Sequence, residues 1–359
     1  MPATESSGRN EVALLRKLPA LFFLFYFQPG LSQQVQDSVL HRYIATGIDL
    51  TLSQRYNAAD SIFLLATVRF PENPSGFLYR AAVLQTRSLD YVLPLSRGSF
   101  DSLLGISERI SESMIQKEPN SPWGYYFLAV TYGYDAFARV ERGDWFGGFR
   151  KGLTSASYFK DCLEKDSLFY DACAGLGTYY YWKSRKIEFL QWLPFITDSR
   201  LEGIRLLDDC TRKGIYNRHV ALSALVTIHL DAGNYPRSAE AAEQALKAYP
   251  LNRVFLWGLA EAQVKSGWPK EARETYERIL GTCLDEKLEH PYSEILARLN
   301  IVKLRLELKD SAGVAGHLVR LLSYESYTFP EELQSRAQKK FDEARRIQGV
   351  LKNDRNHGN

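Results

Sequence analysis

The sequence predicts an all-α fold: an α-solenoid of about seven helix hairpins, several with lengthened helices, and a capping helix at the C-terminus. Two stretches of the C-terminal half superimpose at a constant offset, with Leu225 over Leu259 and Gly233 over Gly267. Within each stretch, apolar residues recur at intervals of three and four, which is the spacing of one helix face. A period of about 34 residues indicates a stack of equivalent units of secondary structure.

Each unit has the pattern of two helices joined by a tight turn. Gly233 and Gly267 stand where the first helix needs a left-handed residue to end, and a proline follows each glycine at the start of the second helix. Ser238, Ala260 and Ala272 are small, and a larger residue there would push the paired helices apart. The pattern therefore predicts closely packed antiparallel helix pairs.

The segments "GNYPRSAEAAEQALKAYP" (residues 233–250) and "LAEAQVKSGWPKEARETYERIL" (residues 259–280) resemble the tetratricopeptide repeat (TPR) family. A looser similarity extends over residues 47–74 and 118–133. The resemblance implies a non-catalytic scaffold that binds a protein or an extended peptide on its concave surface.

The residues that close successive repeats show where the array departs from its period. Pro71, Pro119 and Asp166 close three of them, and each of the two intervals between them exceeds one period by roughly 13 residues. The segment from Asp166 to Pro250 exceeds two periods by roughly 16 residues. The sequence therefore predicts lengthened helices in the first two-thirds of the array.

The domain organisation follows from these patterns. The repeat array is expected over residues 33–325 and is most regular over residues 219–284. Residues 326–352 have one apolar and one strongly charged face, as the last helix of a solenoid requires because nothing stacks on its outer side. Residues 353–359 are expected to be a disordered tail.

The N-terminus has the pattern of an export signal. Arg16 and Lys17 precede the apolar run 18–27, and small residues follow at a plausible cleavage point, so residues 1–32 are predicted to be a signal peptide. The run is about half of the ~20 residues that cross a bilayer, so an N-terminal membrane anchor is the alternative. Export to a bacterial periplasm or cell envelope is the expected localisation.

Composition and motifs argue against several classes of function. Lys and Arg total 45 against 42 for Asp and Glu, which is too balanced for a nucleic-acid binder that relies on many phosphate contacts. No Cys-x-x-Cys or His-Glu-x-x-His is present, so neither a metal site nor a cofactor nor an enzymatic role is expected. The four cysteines are interpreted as small buried residues, with a Cys162–Cys173 disulfide left open as an alternative.

Residues 123–195 contain nearly half of the aromatic residues of the chain. One interpretation is that lengthened helices need more side-chain volume to close against each other. The other is that part of this aromatic set, with nearby arginines, forms a wall of the concave groove, because aromatic and Arg side chains are typical hot spots of protein interfaces. The candidate partner-binding residues are Tyr132, Arg139, Tyr180, Trp182 and Arg185.

Three alternatives to the adaptor hypothesis remain open. The first is a carrier or sensor that encloses a small apolar or glycan ligand within residues 123–195. The second is a structural component of an envelope complex. The third is peripheral contact with lipid head groups through "KSRKIEFLQWLPF", residues 183–195.

Residues 189–210 are also similar to a segment of the eukaryotic TPR family tied to the mitochondrial outer membrane and to inclusion clearance. The similarity implies a shared way of building this insertion and transfers no activity. It rests on Leu193, Pro194, Arg200, Gly203, Leu206 and Leu207.

Overall fold

The computed structural model of the chain describes residues 37–186, 188, 197–286 and 288–357, with side chains described up to residue 352. The expected signal peptide, residues 1–32, lies outside these residues, as do Leu193, Pro194 and most of the lipid-contact segment beyond residue 186. The described residues belong to one compact unit and form fifteen α-helices and no strand. The helices are α1 (Ser38–Leu52), α2 (Tyr56–Arg69), α3 (Ser75–Tyr91), α4 (Arg97–Lys117), α5 (Pro122–Glu141), α6 (Trp145–Lys165), α7 (Tyr170–Lys186), α8 (Arg200–Lys213), α9 (Arg218–Asp231), α10 (Tyr235–Leu246), α11 (Arg253–Lys265), α12 (Pro269–Asp285), α13 (Tyr292–Glu307), α14 (Val314–Leu322) and α15 (Glu331–His357).

The helices pack as seven successive hairpins, from hairpin 1 (α1 with α2) to hairpin 7 (α13 with α14), and α15 follows them. Each odd-numbered helix from α1 to α9 also contacts the next odd-numbered helix. Neighbouring helices approach more closely along the inside of a curve, so the odd-numbered helices form an inner row and the even-numbered helices an outer row. The predicted all-α solenoid of about seven hairpins is confirmed.

The turns and close contacts of the regular hairpins have the predicted chemistry. Gly233 and Gly267 both have φ of 72°, the left-handed conformation that glycine adopts without a steric penalty. Ser238, Ala260 and Ala272 are fully buried between paired helices. Hairpins 5 and 6 are therefore built as the repeat pattern predicts.

Hairpins 2 and 3 contain longer helices than hairpins 5 and 6. Helices α4 and α6 have 21 residues each and α5 has 20, whereas α9, α10 and α11 have 14, 12 and 13. The predicted lengthening is thus present, and it adds about two helical turns to each of these longer helices.

The C-terminal helix closes the array with one apolar face. Leu333, Ala337, Phe341 and Ala344 are buried in a cluster with residues of α13 and α14. Phe329, just before the helix, belongs to the same cluster. The helix continues to His357.

The array turns back on itself so that hairpins 1 and 2 meet hairpin 6. The Arg253 guanidinium, at the start of α11, donates to both carboxylate oxygens of Asp90 in α3, at 2.8 and 2.6 Å. The two side chains are 2% and 0% exposed. Asp90 also accepts hydrogen bonds from Tyr56 and Gln54, and burial together with the Asp90 charge raises the pKa of Tyr56.

The loops before and after hairpin 6 also form hydrogen bonds with hairpins 1 and 2. Asn252 donates to the Leu52 carbonyl at 2.7 Å, and Tyr249 donates to Asp49 at 3.0 Å. Tyr91 donates to Glu286. We call this set of contacts, centred on Arg253 and Asp90, the closing interface.

A second buried carboxylate fixes the start of α9. Asp171, in the first turn of α7, accepts hydrogen bonds from the backbone N–H groups of Tyr216 and Asn217 at 2.9–3.1 Å. Asn217 in turn donates to the Tyr126 hydroxyl of α5, and Tyr216 is hydrogen-bonded to His41 of α1 at 2.8 Å. The inner ends of four odd-numbered helices are thereby joined.

All four cysteines are buried free thiols. The Cys162–Cys173 disulfide that the sequence left open is not formed. Burial raises the pKa of Cys173 and of Cys283 to about 11, so both thiols are protonated and unreactive near neutral pH.

The closing interface predicts an unusually costly substitution. Arg253→Met leaves the Asp90 carboxylate buried without its cation, so we expect the free energy of unfolding to fall by about 3–5 kcal/mol. Urea denaturation followed by circular dichroism measures this change.

Arg237→Met is the matched control because Arg237 pairs with Glu240 on the surface, with side chains 66% and 63% exposed. An exposed pair contributes at most about 1 kcal/mol. Equal effects of the two substitutions would contradict a stabilising closing interface.

Candidate functional site

A groove of about 390 Å³ opens on the inner row of hairpins 5 to 7. Its walls come from α9, α11 and α13, with one residue of α12 behind them. The lining residues are Ser223, Val226, Thr227, Leu230, Val254, Phe255, Trp257, Gly258, Glu261, Tyr276 and Asn300.

The repeat itself determines which residues face the groove. Ser223 and Trp257 occupy equivalent positions in successive repeats, as do Thr227 and Glu261. Gly258 lets α9 and α11 approach, since a Cβ there would lie 2.5 Å from the Val226 side chain. Equivalent positions of successive helices therefore line one continuous surface.

The groove combines an apolar wall with a few polar groups. The Trp257 ring packs edge-to-face on Tyr276, with ring centroids 5.7 Å apart, so the indole is held in place. Glu261 forms an ion pair with Lys265 at 3.1 Å. Asn300 donates to the Leu296 carbonyl at 3.0 Å and keeps its carboxamide oxygen as an acceptor.

The sequence-predicted residue Tyr132 lies between α4 and α6 of the outer row. Its hydroxyl donates to Glu108 at 2.6 Å, and its ring stacks on Tyr158 with centroids 5.8 Å apart. The Lys151 ammonium lies 4.3 Å from the ring centroid. Burial raises the pKa of Tyr132, and the hydrogen bond to Glu108 raises it further.

Arg139 lies near the end of α5, where it bridges two carboxylates. It donates to Asp135 at 2.8 Å and to Asp144 at 3.1 Å. The backbone N–H of Gly147 and the Arg139 guanidinium lower the pKa of Asp144. Arg139 thus stabilises the turn between α5 and α6.

Arg185 lies on the side of α7 that faces α9, and Trp182 lies about one turn before it. Arg185 donates to Asp231 of α9 at 2.9 Å, and the buried Tyr181 donates to the same carboxylate at 2.7 Å. Burial and the Asp231 hydrogen bond raise the pKa of Tyr181. Trp182 packs edge-to-face on Tyr181, with centroids 5.2 Å apart, and is partly buried against the core.

Tyr180 faces the outer row instead. The Lys160 ammonium of α6 lies 5.6 Å from its ring centroid, and its Cβ is close to Gly203 of α8. The five predicted residues therefore do not form one surface. Arg185 adjoins α9, Trp182 packs on Tyr181, Tyr132 and Tyr180 lie between outer helices, and Arg139 lies near the end of α5.

Many of the other aromatic residues of this region fill the core. Trp123, Tyr126 and Phe169 are buried, with the Trp123 and Phe169 ring centroids 4.7 Å apart and those of Tyr126 and Phe169 4.9 Å apart. Phe127 and Phe159 complete the cluster. Packing accounts for these five rings.

The groove residues were not predicted from the sequence, because the prediction followed the density of aromatic residues along the chain. The register of the repeat is the signal that identifies them. When Ser223 is aligned with Trp257 and Thr227 with Glu261, the side chains at these positions differ in chemistry, whereas the core positions around them stay apolar. The described residues contain no group of three or more His, Cys, Asp or Glu side chains that could hold a metal ion.

The model of the tetratricopeptide repeat family matches residues 223–284, which include most of the groove. This segment of the chain matches the TPR family. The helix pairs on both sides of the matched segment continue the same hairpin arrangement.

Three solved structures are similar to the chain at low identity. PilW, a widely conserved type IV pilus biogenesis factor, is 14% identical over 71% of this chain and 97% of its own, with a TM-score of 0.45. YrrB, a TPR protein with an unusual peptide-binding site, is 12% identical over 64% and 97%, with a TM-score of 0.42. TTC0263, a thermophilic TPR protein of Thermus thermophilus, is 17% identical over 63% and 99%, with a TM-score of 0.41. No curated protein matches the sequence.

The similarity of residues 189–210 to the mitochondrial and inclusion-clearance family stays a resemblance, and four of its residues lie in α8. One of them, Gly203, meets Gly177 of α7 where the two helices cross. A Cβ at Gly203 would lie 2.6 Å from the Gly177 carbonyl oxygen, and a Cβ at Gly177 would lie 2.5 Å from that of Gly203. The glycines allow the two backbones to touch.

This crossing predicts that Gly203→Ala destabilises the protein by about 1–3 kcal/mol, because the added methyl forces α7 and α8 apart. Gly152→Ala in α6 is the control, since a Cβ there meets nothing within 4 Å and alanine favours the helix by about 0.5–1 kcal/mol. Thermal unfolding should move the two midpoints in opposite directions. A Gly203→Ala protein as stable as the wild type would refute the close crossing.

Proposed function

We propose that this protein is a non-catalytic adaptor that binds an extended peptide segment of a partner protein in the groove of hairpins 5 to 7. The observation that carries the proposal is the alignment of Ser223 with Trp257, and of Thr227 with Glu261, along one inner surface. A ligand that runs across α9 and α11 meets equivalent positions on the two helices before it reaches Asn300 of α13, which suits an extended chain.

The groove chemistry describes the expected peptide. Trp257 provides a fixed aromatic surface for an apolar side chain, and indole rings are frequent hot spots. Glu261 favours a basic or hydrogen-bond-donating side chain, and Asn300 can pair with a peptide N–H. We propose a segment that alternates apolar with basic or polar residues.

The proposed binding surface extends from the groove toward α7. Leu230 lines the groove, and the next residue, Asp231, holds Arg185. We therefore keep Trp182 and Arg185 as candidate partner-binding residues at its edge. Tyr132, Arg139 and Tyr180 are candidates for a separate contact, since none of them faces α9.

Export of the protein to a periplasm or cell envelope remains part of the proposal and rests on the pattern of residues 1–32. In the part of the chain that the structure describes, none of the helices has the length and apolar character of a membrane span. A membrane anchor at the N-terminus and membership of an envelope complex stay as alternatives.

The carrier alternative has less support. A ligand enclosed within residues 123–195 needs space between the aromatic side chains, whereas Trp123, Tyr126, Phe127, Phe159 and Phe169 pack against each other. The 390 Å³ groove lies on other helices.

A displayed random peptide library, selected on the immobilised full chain, tests the adaptor proposal. We expect selected peptides to bind the groove and to lose about 30-fold or more in affinity when Trp257 is replaced by alanine, since a hot-spot side chain contributes about 2 kcal/mol or more. Fluorescence anisotropy of the labelled peptides measures the affinities.

Trp268→Ala is the matched control because Trp268 lies in the same hairpin, is 39% exposed and does not line the groove. Selected peptides that bind Trp257→Ala and Trp268→Ala equally well would overturn the groove as the binding site. A library that yields no binder would overturn peptide recognition itself.

A further inference from the structure

The outer helix α6 presents a row of apolar side chains to solvent. Trp145 is 60% exposed, Phe146 79%, Phe149 47% and Leu153 43%. Intervals of three and four residues place these four side chains on one helix face, which we call the aromatic face. Exposed apolar patches of this kind mark interaction sites.

Packing on the other side of α6 keeps the aromatic face turned outward. A Cβ at Gly148 would lie 2.6 Å from the Val140 side chain and 3.0 Å from the Ala136 carbonyl oxygen. The side of α6 that carries Gly148 therefore packs closely against α5. Asp144 accepts the backbone N–H of Gly147 at 2.9 Å and fixes the start of the helix. Rotation of α6 to bury its aromatic side chains would break these contacts.

The surroundings of the aromatic face carry excess positive charge. The Lys186 ammonium lies 5.1 Å from the centroid of the Trp145 ring. Arg142 and Arg150 are exposed and, like Lys186, form no ion pair with a carboxylate among the described residues. Glu141 is an exposed acidic residue beside them and offsets one of these three charges.

We propose that the aromatic face docks the protein onto an anionic lipid surface. Trp and Phe side chains on a convex helix insert at the level of the head groups, and flanking Lys and Arg side chains attract anionic lipids. A second copy of the chain fits this face less well, because the same positive charges would meet across the interface.

This role goes beyond the adaptor function and occupies a different part of the molecule. The aromatic face lies on α6 of the outer row, whereas the peptide groove lies on α9, α11 and α13 of the inner row. Docking through α6 therefore holds the scaffold at a membrane without using the groove residues.

Vesicle flotation of the full chain tests the proposal. We expect binding to vesicles of phosphatidylcholine mixed with phosphatidylglycerol, weaker binding to phosphatidylcholine alone, and a decrease in binding at high salt. The double substitution Phe146→Ser with Phe149→Ser should lower the partition coefficient about tenfold or more.

The matched control is Leu64→Ser with Val68→Ser, which removes two exposed apolar side chains, 44% and 73% exposed, from the outer helix α2. This control should float like the wild type. None of the four residues belongs to the buried core, and circular dichroism verifies that both variants are folded.

Brominated lipids give a direct readout, since they quench the fluorescence of an inserted indole. Quenching that disappears with Trp145→Phe supports insertion of the aromatic face. A wild-type chain that does not float with anionic vesicles, or one that floats equally well after both phenylalanines are replaced, overturns the proposal. In the second case the N-terminal segment or another surface binds the lipid. Failure to float combined with saturable binding to an acidic protein would assign the aromatic face to a protein partner instead.

Discussion

The ion pair between Arg253 and Asp90 is the contact on which the closed arrangement of the hairpins depends. Both side chains are almost completely removed from water, which is costly for two charges unless further hydrogen bonds compensate. Tyr56 and Gln54 donate to the carboxylate, and Glu286 lies 2.7 Å from the guanidinium. Because donors and acceptors come from hairpins 1, 2 and 6, the network stabilises one curvature of the array.

The inner row of this curved array has a packed part and an open part. At hairpins 1 to 5 the inner ends of the helices are joined by a buried core in which Trp123, Tyr126 and Tyr216 meet, and Asp171 holds the start of α9. At hairpins 5 to 7 the faces of α9, α11 and α13 line a groove. The same repeat architecture thus provides a packed core in one part and an open groove in another.

Local sequence patterns predicted the hairpins, the left-handed glycines at 233 and 267, and the apolar face of α15, because each depends on residues close in the chain. The Arg253–Asp90 pair joins residues 163 positions apart, and no local pattern connects them. The consecutive aromatic residues 179–182 of α7 show the same limit, because no local pattern decides which of the four rings is buried. Of these four residues Tyr181 is the most deeply buried, and Asp231 of the neighbouring helix α9 accepts a hydrogen bond from its hydroxyl.

The exposed aromatic side chains lie on one of the lengthened helices. Helix α6 has 21 residues and α8, the next helix of the outer row, has 14, a difference of about 10 Å at ~1.5 Å per residue. The first two turns of α6 carry Trp145, Phe146 and Phe149, and all three side chains are exposed. Exposed aromatic side chains grouped on one helix face are typical of an interaction site, so the start of α6 is where contact with a lipid surface is proposed.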